Sequence, residues 1–367
     1  MLYGLYLLSL ARAWKNFRLP SYSESSNTIG VSIVIAARNE ANTLPSLLED
    51  LNQQNHPFSH LEVIVIDDAS EDGTLACIEN YQSKVKYSLK AIRLEDSKGF
   101  NIYKKRAIEK GIEIAGFPII VTTDADCRVG KNWLSQLVLP FSNPNIQLVL
   151  GPVQFHYQPG FFQAFQQLEF SSLIGVTAAT SHLGHPLMCN GANLAYRKDC
   201  FYAVGGYGND GFASGDDMFL LHKIQNRFPG QILFMQTKES MVSTQSKQDF
   251  SEFLGQRKRW VSKNRFLPDW KTLTVGALTY ASSVSIVIYF LLVLGGESWM
   301  IFPLLSAMII KGLTDYFFLK TIANFFNLDK SLPYFFPAYL MNLIYTSLIL
   351  PYSSLGRNYQ WKGRSVR

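Results

Sequence analysis

Two aspartates separated by one alanine, Asp124 and Asp126, directly follow the apolar stretch that ends in Thr122 and Thr123. If that stretch is a strand whose extended geometry persists, both carboxylates leave on one face. Hard cations such as Mg²⁺ or Mn²⁺ take oxygen ligands, typically one or two carboxylates completed by substrate phosphates. The pair therefore suits a metal that neutralises a departing diphosphate, although an isolated Asp-x-Asp is as readily a helix cap. A second acidic pair, Asp216 and Asp217, follows the small-residue run GFASG and opens the helical pattern MFLLHKI. At a helix N-terminus beside a cation such a carboxylate stays ionised and can serve as a general base. N-terminal capping is the plain alternative. A third group, Gln256, Arg259 and Trp260, stands at i, i+3 and i+4 of a helix predicted to start near Asp249, so the three share a face. An arginine fork beside an indole suits the mouth of a sugar-diphosphate site. Arg257, Lys258 and Lys263 fall around the other sides and suit anionic lipid headgroups.

Positioning these groups requires strands that end where the acids begin. VSIVIAA is a continuous β-branched run of the kind found in a parallel strand buried on both faces. Helical periodicity follows over Ala41 to Leu51, and the unit repeats. LEVIVID, LKAIRL and PIIVTTD read as strands, with helices over Asp72 to Tyr81 and Tyr103 to Ile114. Alternating strand and helix predicts a doubly wound α/β sheet with right-handed crossovers. Ligands of such sheets bind beyond the carboxyl ends of the strands, where Asp67 and Asp68 end the second and Asp124 and Asp126 the fourth. No Gly-x-Gly-x-x-Gly follows the first strand, which argues against a dinucleotide-binding domain. Beyond Gly151 the pattern is less regular. Phe161 to Thr180 reads as an amphipathic helix, with Phe162, Phe165, Leu168 and Leu173 on one side, that fits a membrane surface and a protein core equally.

The chain of 367 residues is 47% hydrophobic and 17% charged, low in charge for a soluble enzyme. Its apolar residues concentrate in three stretches, Leu273 to Leu294, Trp299 to Leu319 and Leu332 to Leu350, each near the roughly 20 residues that cross a hydrocarbon core. In the second, Lys311 and Asp315 are four apart, side by side on a helix. The net charge of +6 owes much to Arg257, Lys258, Arg259, Lys263, Arg265 and Lys271, just before the first stretch. That side is expected to be cytoplasmic, with membrane lipids and not nucleic acid as the partner. The N-terminal MLYGLYLLSLARAWKNFR is too short for a span and reads as an amphipathic foot. The expected organisation is an N-terminal segment and linker over 1–28, a catalytic α/β domain over 29–271, about three transmembrane helices over 272–353 and a basic tail over 354–367. Three crossings would put that tail outside, against the charge rule, whereas two, four or one re-entrant segment would not. Cys77, Cys127, Cys189 and Cys200 show no Cys-x-x-Cys spacing and read as ordinary reduced thiols.

In this order VSIVIAARNEA, VIVIDDASEDGT, TTDAD, GANLAYRKDCF, GDDMFLL and QRKRW resemble glycosyltransferase family 2 over roughly Val31 to Trp260. The pattern is similar to that of its membrane-integrated members with Gln-x-x-Arg-Trp, such as cellulose and hyaluronan synthases and ceramide glucosyltransferase. The resemblance implies a GT-A fold, a mixed doubly wound sheet, and inverting transfer from a nucleotide-diphosphate sugar, usually a uridine diphosphate one. It implies Asp68 and Glu40 on the nucleotide, Asp124 on the ribose or diphosphate side and Asp126 on Mg²⁺ or Mn²⁺. Asp217, seconded by Asp216, would be the base, and Gln256, Arg259 and Trp260 would frame the acceptor and diphosphate. One departure is the stretch SKGFNIYKKRAI, where the family usually has Gly-Lys before Ala-Leu or Ala-Ile. Lys98 or Lys104 could supply the phosphate-facing cation, and the distance to Ala107 and Ile108 favours Lys104. The expected acceptor is a lipid-linked or short glycan hydroxyl at the cytoplasmic face of a membrane, a bacterial inner membrane by preference. Rivals are a processive polysaccharide synthase subunit, with partner subunits if a polymer is exported, and a membrane-bound nucleotidyltransferase.

Overall fold

The computed structural model describes residues 1–22, 29–95, 103–208, 216–264, 269–354, 359–361 and 364–366. In chain order the helices are α1 (Leu2–Asn16), α2 (Leu44–Asn52), α3 (Thr74–Tyr81), α4 (Tyr103–Ile114), α5 (Trp133–Val138), α6 (Phe161–His182), α7 (Lys198–Ala203), α8 (Asp216–Arg227), α9 (Phe250–Asn264), α10 (Trp270–Leu294), α11 (Ile301–Phe326) and α12 (Phe335–Ser354). The strands are β1 (Val31–Ala37), β2 (Leu61–Asp68), β3 (Ser88–Leu94), β4 (Ile119–Thr122), β5 (Arg128–Val129), β6 (Leu148–Leu150), β7 (Val153–Phe155), β8 (Leu194–Arg197), β9 (Ile232–Phe234) and β10 (Val242–Thr244), with a short hairpin β11 (Tyr359–Trp361) and β12 (Arg364–Val366) in the tail. Two compact units result, and they do not follow chain order. Residues 18–154, 184–245 and 358–367 form one, and residues 1–17, 155–183 and 246–357 the other.

The first unit is built on a seven-stranded mixed sheet in the order β3-β2-β1-β4-β8-β6-β9. Runs such as VSIVIAA and LEVIVIDD bury both faces, which only a parallel central strand covered by helices allows. Strand β1 pairs in parallel with β2 from Val31↔Leu61 to Ala37↔Asp67, and with β4 from Val31↔Ile119. These registers bring the chain exits of three strands to one edge. Strand β8 joins β4 antiparallel, Thr122 opposite Leu194, which makes the sheet mixed and carries Gly191 to the same edge. Helix α4 lies directly on β1: a Cβ on Gly111 would stand 2.3 Å from a Val34 methyl carbon, so only glycine allows that approach. The close packing seats α4 on the sheet, and the first turn of that helix carries Lys104.

The second unit is helical. The helix beginning at Phe161, which fitted a membrane surface and a core equally in sequence, is core: Phe165, Leu168, Phe170 and Ile174 are all buried. A Cβ on Gly175 of α6 would come within 2.9 Å of Ile322 in α11, so the two helices touch backbone to side chain there. Helix α1 docks on α11 through Tyr3, whose hydroxyl donates to Asp315 Oδ1 at 2.6 Å. Lys311 Nζ donates to the other oxygen at 2.8 Å, the pairing expected from their spacing. Ser331 and Gln167 bond at 2.5 Å beneath α6. Among the described residues two helical segments, Trp270–Leu294 and Ser298–Phe326, are long and apolar enough to cross a membrane. Phe290, Leu291, Phe302, Leu305 and Ile309 on them are exposed. Helix α12 is shorter, with Pro351 in its last turn.

Candidate active site

The exits of β1 and β2 are tied together before any ligand is considered. Arg38, buried, donates from Nη1 to the carbonyl oxygens of Asp68 and Ala69, both at 2.7 Å, and from Nη2 to Glu71 at 3.2 Å. The Asn39 amide donates to Ser70 Oγ at 3.0 Å, the Glu71 amide to Asn39 Oδ1 at 2.9 Å, and the Glu40 amide to Thr74 Oγ1 at 2.8 Å. Both loops pass through the left-handed region at non-glycine residues, Asn39 at φ 52° and Ala69 at φ 50°. Strain of this kind costs of order 1–3 kcal/mol and persists only where the surroundings over-determine it. Asp67 and Asp68 are buried at this exit. Asp67 Oδ1 accepts from the Ser70 amide at 3.2 Å and its other oxygen lies 3.8 Å from Arg93 Nε. Glu40 receives the Thr43 hydroxyl on its carboxylate, and its carbonyl accepts from the Leu44 amide at 3.0 Å, so it also organises the start of α2.

At the exit of β4 the chain does not stay extended. Ala125 and Asp126 form a turn closed by the Cys127 amide on the Asp124 carbonyl at 3.1 Å. The alternation of faces therefore ends before Asp126, which is exposed, while Asp124 is half-buried. Lys104 Nζ donates to Asp124 Oδ1 at 2.6 Å. Lys98 lies outside the described residues. Burial pushes the Cys127 thiol well up, and the Asp124 and Asp126 carboxylates push it further, so the sulfur stays protonated and donates weakly toward Asp126 at 3.9 Å.

Asp217, in the first turn of α8, reaches the same place. Its Oδ2 accepts from the Gly191 amide at 3.1 Å and its Oδ1 from the Met218 amide at 2.9 Å. Thr122 in turn donates to the Gly191 carbonyl at 2.9 Å. Amide donors stabilise the charged carboxylate. A pocket lined by Lys104, Thr123, Asp124, Gly191, Tyr207 and Asp217 results. It brings together two of the acids expected from sequence and the favoured lysine. The Asp216 side chain lies outside the described part of the chain. Gly191 and Tyr207 were not singled out by sequence: Gly191 opens the GANLAYRKDCF run, which hinted at it, whereas nothing marked Tyr207.

Among the described residues no three His, Cys, Asp or Glu side chains converge on a metal cage. Asp124 and Asp126 offer hard oxygen donors with access to solvent, which fits a cation that completes its shell with substrate phosphates and water.

Helix α9 corrects one expectation. Arg257 does not face headgroups: it is 1% exposed, with Nε and Nη2 on the two oxygens of Glu169 at 3.0 and 2.5 Å. Lys258 lies over the Tyr352 ring at 5.0 Å, and the Lys263 side chain is outside the described part. Trp260 packs one ring contact on Phe170 at 5.8 Å and another on the Arg257 guanidinium at 4.1 Å. Gln256, Arg259 and Trp260 are each half-buried.

Sequence comparison assigns the class. The pattern described as Glycosyl transferase family 2 matches residues 32–205, and that described as Glycosyl transferase family group 2 matches residues 119–348. The chain belongs to glycosyltransferase family 2. It is 27% identical over 186 residues to Glycosyltransferase AglE of Haloferax volcanii, covering 51% of this chain and 58% of that one. Over 190 residues it is 25% identical to a poly-beta-1,6-N-acetyl-D-glucosamine synthase of Staphylococcus epidermidis, covering 51% and 44%. The chain thus spans about half the length of these relatives. The fold is similar to that of the mannosyltransferase PcManGT of Pyrobaculum calidifontis, solved with GDP-Man and Mn²⁺, with a TM-score of 0.57 and 17% identity over 93% of this chain and 94% of that one. The GT-A architecture follows.

Proposed function

We propose that the chain is an inverting, metal-dependent glycosyltransferase that moves a sugar from a nucleotide-diphosphate donor to a hydroxyl of a lipid-linked or short glycan acceptor. What carries the reading is a pocket in which Lys104 and Asp124 meet 2.6 Å apart beside Asp217: a cation for a diphosphate, an acid for its metal and a base for an acceptor. In the reaction Asp217 takes the acceptor's hydroxyl proton, the freed oxygen bonds to the anomeric carbon, and the bond to the diphosphate oxygen breaks with its electron pair leaving on the diphosphate. Asp126, with Asp124, would hold Mg²⁺ or Mn²⁺, which would supply positive charge for the leaving diphosphate. Asp68 and Glu40 hold the nucleotide. Asp216 seconds Asp217 at the start of α8. Motif order assigns Gln256, Arg259 and Trp260 to the diphosphate and acceptor. Lys104, paired with Asp124 at 2.6 Å, is the cation assigned to the donor's phosphates.

The membrane part of the proposal rests on the two long apolar helices. It keeps a transferase domain over 29–271 on the cytoplasmic side, a membrane region over 272–353 and a basic tail over 354–367, with residues 1–28 as an anchoring foot and linker. The similarity to a poly-N-acetylglucosamine synthase gives weight to a second reading, a processive synthase subunit. The purified full-length protein, given UDP-sugars and GDP-mannose with Mn²⁺, Mg²⁺ or chelator and a lipid extract, is expected to yield a single-sugar product by mass spectrometry, lost with chelator. Long polymer would establish the second reading instead. Absence of both transfer and donor hydrolysis, with Asp217→Asn no different, would sink both.

A further inference from the structure

The proposed chemistry gives no task to Arg257 or Lys258 of the QRKRW run, and Arg257 is the more enclosed of the two. Its side chain is buried, so neither water nor a lipid headgroup reaches it. The guanidinium donates to both carboxylate oxygens of Glu169 on α6, at 3.0 and 2.5 Å, and from Nη1 to Gln256 Oε1 at 2.6 Å. The Tyr345 hydroxyl of α12 bonds to the same group. The guanidinium also lies 4.1 Å from the Trp260 ring and 4.6 Å from the Phe253 ring. A planar fork of fixed donors, with aromatic faces against it, defines direction in a way an ammonium does not. A buried ion pair is costly to desolvate and is weak as a stabiliser, so specificity of arrangement is the better account of its presence. What it arranges is plain: it bonds to Gln256 and stacks on Trp260, two of the three residues assigned to diphosphate and acceptor.

We propose that Arg257 is a positioning residue, clasped by Glu169 and Tyr345, that orients the Gln256 amide and the Trp260 indole for the transfer reaction. The inference rests on the roles given above to Gln256 and Trp260. The clasp thereby joins α6, α9 and α12.

The test uses the full-length protein in detergent. Arg257→Met keeps the apolar stem and removes the fork. It is expected to lower kcat/KM for transfer by about 100-fold, the loss that a misplacement of about 1 Å can cause. Arg257→Lys should recover part of this, since one bond to Glu169 survives. The Trp260 contribution to tryptophan emission, obtained by subtracting the spectra of Trp260→Phe counterparts, should shift in Arg257→Met. Turnover within twofold of wild type in folded Arg257→Met, or an unmoved Trp260 emission, overturns the assignment. If Arg257→Met does not fold, Glu169→Gln replaces it, with a loss in the same direction expected and unchanged turnover again decisive against. Failure of the underlying reaction scheme shows differently, as a fully active Asp217→Asn protein.

Discussion

Two charged clusters among the described residues handle their charges in opposite ways. At the edge of the sheet, Lys104 and Asp124 keep side-chain exposures of 29% and 37%, and Asp217 is held by backbone amides. In the helical unit, Arg257 and Glu169 are 1% and 10% exposed and are held by side chains. The first arrangement keeps Lys104 and Asp124 partly exposed to solvent while fixing where the carboxylates point. The second turns its donors to protein partners and so can orient neighbours without touching a substrate. Charge that works on a ligand is expected to be removable at the cost of activity alone, whereas buried polar groups that organise the frame are expected to cost stability.

Asp217→Asn tests the first half of this contrast and carries the largest expected effect. The amide retains one oxygen to accept from the Gly191 amide, so the melting temperature should stay within a few degrees, while the transfer rate falls by about 10²–10⁴-fold with loss of the base. A comparable loss of melting temperature would instead make Asp217 a cap of α8.

Much of that cluster was legible in the sequence because it depends on local spacing. Strand runs ending in acids put Asp124 at the carboxyl edge of the sheet, and the distance to Ala107 and Ile108 favoured Lys104 as the phosphate-facing cation. What was not legible is whatever depends on a distant partner or on a local turn. Arg257 looks like its basic neighbours until Glu169, 88 residues earlier, is seen beside it. The turn at Ala125 and Asp126 breaks the alternation on which a shared carboxylate face was argued. Tyr207 reaches the pocket through tertiary packing that no motif announces.

Asn193 sharpens the second half of the contrast within the sheet unit. It is 0% exposed and donates to the carbonyls of Pro152 and Ser240 at 2.7 and 2.9 Å while accepting from Trp133 Nε1 at 3.0 Å. Asn193→Ala orphans three buried groups and should cost about 3 kcal/mol, read by denaturant unfolding. Glu62 is a milder case. Burial raises its carboxyl, but hydrogen bonds from Lys90, Ser32 and Gly116 outweigh this and hold it below its ordinary value. A lowered carboxyl pKa stabilises the fold above the unfolded-state value and ceases to as pH falls through the folded one. Glu62→Gln is therefore expected to cost about 2 kcal/mol at neutral pH, with the gap to wild type closing below about pH 4. A gap independent of pH would mean that shape and not charge is what the Ser32 and Lys90 contacts require.

The smallest effect concerns backbone and not charge. Non-glycine residues at positive φ stand at two strand exits of the sheet unit, Asn39 and Ala69, whereas the one described in the helical unit, Asn327, merely terminates α11 in the left-handed conformation. A helix end of that kind is ordinary, but alanine at φ 50° is not, and the Arg38 bond to the Ala69 carbonyl holds it there. Ala69→Gly removes a conformational cost of roughly 1–2 kcal/mol and adds unfolded-state entropy worth roughly 0.5–1 kcal/mol. The melting temperature should therefore rise slightly or stay level. If the strain serves to aim the Asp68 loop at a nucleotide, the donor KM should nevertheless rise by a few-fold in the glycine variant. An unchanged KM would reduce the left-handed turn to a feature of chain reversal and leave the nucleotide side of the site to the side chains alone.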